Sequence, residues 1–128
     1  MFYAFPHTIT TGDVITNKHR LDMALTAGVI HQVDIVFQSG CSFVAGVQIR
    51  QGDHQLWPTN RQDAIYGDAS VVSFREFHEL RSGSNDLYAL IWGNGVINAV
   101  QVIVQIGVLP KAILQPMSFD ELLKAAIG

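Results

Sequence analysis

Residues Gly28–Pro58 read GVIHQVDIVFQSGCSFVAGVQIRQGDHQLWP, and the spacing of the apolar positions in this stretch decides the fold class. Val29, His31, Val33, Ile35 and Phe37 fall on one side of an extended chain, and Ile30, Gln32, Asp34 and Val36 on the other. Gln38-Ser39-Gly40 interrupts the run. A second run, Phe43–Arg50, places Phe43, Ala45, Val47 and Ile49 inward and Gln48 and Arg50 outward. Gln51-Gly52-Asp53 then makes a tight connection into His54–Trp57, which predicts a hairpin. Pro58 ends that strand because it has no amide to give to a ladder.

The same grammar extends in both directions. Strands are expected at His7–Thr11, closed by Gly12-Asp13, and at Arg20–Leu25, with Leu21, Met23 and Leu25 on one face. Thr59–Ala69 is polar and reads as a loop. Val71–Leu80 follows, with Arg75, Glu76, His78 and Glu79 crowding its second half, as on an edge strand that repels unwanted pairing. Leu87–Trp92 and Asn98–Leu109 complete the set, separated by Gly93-Asn94-Gly95, which reads as a hairpin turn. The runs are rich in β-branched residues and are cut by turn residues at intervals of roughly 8–12. The expectation is therefore an all-β fold, an eight-stranded β-sandwich over residues 1–109, with a jelly roll favoured over an immunoglobulin-like topology.

The tail, residues 110–128, reads differently. Pro110 and Pro116 bracket a segment unsuited to a sheet interior. Ser118-Phe119-Asp120-Glu121 has the spacing of a capping box, in which the Ser118 hydroxyl accepts from the Glu121 amide. Phe119, Leu122, Leu123 and Ala126 share one face of a short amphipathic helix over Phe119–Ile127. A helix this short is marginal in water alone. It needs a surface, either its own sandwich or a neighbouring subunit, and in the second case Phe119, Leu122 and Leu123 are the candidate contacts.

Composition narrows the function. The chain has 128 residues, one cysteine, a net charge of −3 and only 15% charged residues, well below the average of roughly 25%. Its mean hydropathy is +0.24, yet no apolar run approaches the roughly 20 residues of a membrane span. This combination predicts either an unusually complete core or, the favoured reading for so small a domain, apolar surface covered by other subunits. The eight Lys and Arg are scattered, so no basic stripe is present to neutralise the phosphates of a nucleic acid. A lone Cys41 precludes an intrachain disulfide and suits synthesis in a reducing cytoplasm. The first residues, MFYAFPHTITTGD, lack the pattern of a secretory signal.

Few residues have the spacing of a chemical site. His7, His19, His31, His54 and His78 are at least 11 residues apart. No pair has the i,i+2 or i,i+4 spacing of a metal-binding strand or helix, although strands can bring distant histidines together. Cys41 has no signature of a nucleophile around it and reads as a buried or turn cysteine. Asp53, Asp63 and Asp68 lie in loops with Asn60 and Gln62 but lack the order of a calcium loop. No catalytic, cofactor or metal residue is assigned, and a non-enzymatic role is expected. Among the aromatic residues, Tyr88 and Trp92 read as packing residues. Trp57, at a strand end, is the ring most expected at the surface. With Asn60, Arg61 and Tyr66 it makes the candidate ligand or partner surface.

The segment from Gly28 to Phe37 with Gly40, then Val47-Gln48-Ile49 and Gly52-Asp53-His54-Gln55-Leu56-Trp57-Pro58-Thr59-Asn60, resembles small β-sandwich proteins of viruses and phage-like particles. The similarity extends over about residues 8–109 and rests on strand and turn patterns. It implies a single jelly-roll virion structural protein, used as a capsid, decoration or spike component and assembled in the host cytoplasm. Its partners would be copies of itself and other particle proteins. The alternative is a carbohydrate-binding or host-adhesion module whose glycan stacks on Trp57 and Tyr66.

Overall fold

In the computed structural model, which describes residues 1–60, 62–81, 85–94 and 99–110, the alternating runs form nine strands. They are β1 (Phe2–Ile9), β2 (His19–Asp22), β3 (Gly28–Phe37), β4 (Ala45–Gln51), β5 (His54–Trp57), β6 (Ile65–Tyr66), β7 (Ser70–Leu80), β8 (Leu87–Gly93) and β9 (Val100–Leu109). The first sheet has the order β1-β9-β3-β7. The second has β2-β8-β4-β5, with β6 also paired to β4. All pairs are antiparallel, and the two sheets pack as a sandwich.

The connectivity is nested. β1 pairs with β9, β2 with β8, β3 with β7 and β4 with β5. Among the described strands, the chain stays in one sheet only from β4 through β6; every other step crosses to the opposite sheet. The expected hairpin at Gly93-Asn94-Gly95 is therefore corrected: β8 and β9 lie in opposite sheets. The hairpin at Gln51-Gly52-Asp53 is present, with Gln51 opposite His54 and Gly52 at φ 57°.

Three other expectations change. β1 begins at Phe2 and carries Pro6, which an edge strand tolerates because the missing amide can face outward. β4 begins at Ala45 because Ser42 and Phe43 have φ values of 52° and 57°, a left-handed turn that breaks the ladder. Phe43, expected inward, is consequently 65% exposed. The expected loop Thr59–Ala69 contains β6, whose Ile65 and Tyr66 lie opposite Val47 and Gly46.

The core lies where the alternation placed it from Val33 onward, but the β3 register shifts between Ile30 and Gln32, so Ile30 joins the core cluster where His31 was expected and the His31 ring meets exposed Phe2 instead. Ile30, Val33, Ile35 and Phe37 of β3 meet Ala45, Val47 and Ile49 of β4, Ala89 and Ile91 of β8, and Val100 through Val108 on the even positions of β9. Burying each large aliphatic side chain contributes roughly 1.5–3 kcal/mol. Met23 is buried with them, and Leu21 and Leu25 pack against the cluster. β7 is an edge strand, in keeping with its charges. The expected helix over residues 119–127 and its contacts Phe119, Leu122 and Leu123 lie outside the described residues, as does Arg61.

Candidate functional site

The surface expected around Trp57 is rearranged by a bulge. β5 slips by one residue against β4 between Ile49 and Arg50, and such a slip reverses which face the following side chains take. Gln55 therefore lies on the outer side of the second sheet while Trp57 turns inward, 6% exposed. The Trp57 ring meets Phe74 and His78 of β7 edge-on, both at 5.8 Å. The exposed ring expected there is thus a core residue that closes the sandwich along the β5/β7 edge. His78 Nε2 also lies 3.0 Å from Gln51 Oε1, so the same edge has a polar link between the sheets. Burial pushes the His78 imidazole below its ordinary value; Glu76 opposes this and His54 adds to it.

Asn60 and Tyr66 remain at the surface, on the outer side of the second sheet. The Gln55 amide nitrogen donates to the carbonyls of Pro58, Asn60 and Asp63, at 2.8–3.3 Å. That one side chain holds the loop after β5 in shape, and Gln48 Nε2 adds a 2.8 Å bond to the Asp63 carbonyl. The Asn60 amide is hydrogen-bonded to Asp63. Tyr66 is 44% exposed and packs edge-on against Trp92 at 6.2 Å. Lys18 Nζ sits 4.6 Å over the Trp92 ring and donates to Gln48 Oε1. A polar cavity of about 430 Å³ opens on this side, with Lys18, Gln48, Arg50, His54 and Gln62 in its lining. Trp92 and Tyr88 are both buried, as expected of packing residues.

The outer face of the first sheet has a different character. Its side chains form rows that cross all four strands. Pro6 lies opposite Ile103, Ile103 opposite Val36, and Val36 opposite Val71. This apolar row reaches from one edge of the sheet to the other and ends at Val71, which is 57% exposed. The next row, Ala4, Gln105, Asp34 and Ser73, is polar, with Ser73 and Gln32 donating to Asp34. Phe2 and Phe77, 62% and 65% exposed, add apolar surface on the two edge strands.

The opposite edge, where β1 faces β2, holds a group that short-range spacing did not announce. The rings of His7 and His19 stack at 3.7 Å, 4° from parallel. His7 Nε2 lies 2.9 Å from Asp13 Oδ2. The same oxygen accepts from the Thr10 amide at 3.0 Å and from the Thr10 hydroxyl at 3.4 Å. Burial alone would raise the Asp13 carboxyl. The Thr10 amide, the His7 hydrogen bond and the charges of His7 and His19 outweigh burial and hold it below the usual carboxylate range. The loop carrying Asp13 is fixed to the second sheet by Gly93 N–H donating to the Asp13 carbonyl at 2.8 Å. Ile15 N–H donating to Asn94 Oδ1 holds it as well. The signal that finds this group is symmetry: a turn carboxylate six residues from a strand histidine on either side.

The remaining sequence candidates stay apart. Cys41 is fully buried, and burial, with the Asp68 charge, pushes its thiol up despite a hydrogen bond from Gln38. Asp68 accepts from the Gly40 amide, and Asp63 is tied to Asn60. No helix among the described residues is long and apolar enough to cross a membrane. No protein-family model matches the chain, and no curated protein matches it either.

Proposed function

We propose that this chain is a non-enzymatic structural subunit of a virion or phage-like particle, a jelly-roll sandwich that assembles with copies of itself in the host cytoplasm. The observation that carries the reading is the apolar row Pro6, Ile103, Val36 and Val71 across the outer face of the first sheet. Contiguous apolar surface on a solvent-facing sheet marks a contact surface. The occupant is a second copy. Asp34, opposite Ser73, and Arg75, opposite Gln32, stand on the same outer face as the row, so a two-fold contact through this face can pair unlike charges. The low charge content of the chain points the same way.

The jelly-roll part of the proposal is supported by the nested pairing, which is what a long antiparallel ribbon yields when rolled into two sheets. An immunoglobulin-like sandwich instead pairs several consecutive strands within one sheet. The glycan-binding alternative has less to stand on, because Trp57 lies in the core and Tyr66 alone of the two rings stays exposed.

The test compares wild type with Val71→Glu by light scattering on a sizing column at micromolar concentration. The proposal expects a wild-type oligomer and a smaller species for Val71→Glu, with thermal midpoints that agree once monomers are compared. A monomeric wild type, or an oligomer indifferent to Val71→Glu, overturns it.

A further inference from the structure

We propose that His7, Asp13 and His19 bind a divalent transition-metal ion of the zinc type, which ties the two sheets together where β1 faces β2. A ring nitrogen of each histidine and a carboxylate oxygen of Asp13 lie within 4.8 Å of one another, the one such group of three among the described residues. A tetrahedral zinc sits about 2.0–2.2 Å from its ligands, which leaves neighbouring ligand atoms about 3.3 Å apart. The ligand atoms are within reach of one ion, and binding requires the stacked His7 and His19 rings to turn so that a nitrogen of each faces it. Two imidazoles and one carboxylate suit zinc, nickel, copper or iron rather than calcium or magnesium. The fourth position is left to water.

The scaffold around the group is what such a site needs. The Thr10 amide and hydroxyl hold the carboxylate, and the Gly93 amide holds its backbone, the orienting contacts that strengthen metal sites. His7 is anchored in register with Val102 of β9, and His19 with Ile91 of β8, so each histidine stands on a different sheet. The side chains of His7 and Asp13 are only 15% and 14% exposed. On binding, the proton between His7 Nε2 and Asp13 Oδ2 moves to His7 Nδ1 or to solvent, and the metal takes its place.

The experiment uses the full chain, freed of metal by chelator dialysis and titrated calorimetrically with zinc sulfate. Cobalt chloride serves as a visible-absorption probe of geometry. The expected result is one zinc per chain, saturable in or below the micromolar range, with a higher thermal midpoint and an intense cobalt band. His7→Gln and His19→Gln should each weaken binding by about tenfold or more, while His31→Gln and His54→Gln leave it unchanged. Should either strand variant fail to fold, Asp13→Asn takes its place, with the same loss expected. Absence of saturable binding, a weak cobalt spectrum, or affinity unaffected by these substitutions overturns the proposal.

Discussion

At Trp57 the same residue has two readings, and the structure separates them. Its position before Pro58 at a strand end suggested a surface ring; the bulge at Ile49/Arg50 turns it into the core against Phe74 and His78. Trp57→Ala should therefore lower stability by about 3–5 kcal/mol in urea unfolding, whereas a surface ring would lose well under 1 kcal/mol. Its neighbour His78 has an imidazole pushed below 6.5 by burial, so the unfolded chain takes up a proton there more readily than the folded one. Stability from this group is fully present above pH 6.5 and declines as pH falls from there toward the lower folded value. His78→Gln should flatten the pH dependence of the urea midpoint between pH 7 and 5; an unchanged slope would assign that dependence to other groups. Neither feature was legible in the sequence, because alternation cannot reveal an inserted residue. The same limit hid His7 and His19, which meet only because the chain crosses between sheets at Gly12-Asp13.

At the scale of elements, the sequence was most readable where strands are long and buried on one face. β9 and the Val33–Phe37 part of β3 follow the expected alternation, while the bulge after Ile30 exchanges the faces expected for Ile30 and His31; β7 carries at an edge the charges that suggested one. Two-residue β6 carried no periodic signal, and its existence depends on β4 offering an edge beyond β5. Gly46 shows how these elements fit. A Cβ built there would lie 2.5 Å from the Trp92 ring and 3.0 Å from Tyr66, so the bare backbone of β4 is the floor on which both aromatics rest. Gly46→Ala should destabilise by about 1–3 kcal/mol through overpacking and change the tryptophan fluorescence of the folded protein. Wild-type stability and spectrum in that variant would mean that Trp92 and Tyr66 move aside freely.

For the molecule as a whole, the two open edges of the sandwich are closed by different chemistry. Trp57, Phe74 and His78 close one with aromatic packing; the stacked His7 and His19 with Asp13 close the other. The two outer faces differ as well. The second sheet presents a polar cavity beside Tyr66 and Trp92, and the first presents the apolar row that ends at Val71. All-β class and two packed sheets could be read from the alternation and the turn spacing. Strand order could not, since every strand is compatible with several neighbours and only tertiary packing selects the nested set. The proposed contact between copies of this chain is made by the first sheet's outer face. Sedimentation equilibrium of the wild-type protein across the micromolar range tests it most directly. Self-association gives an average mass above 14.1 kDa that falls toward it on dilution or in Val71→Glu; a mass of 14.1 kDa at every concentration overturns the proposed contact.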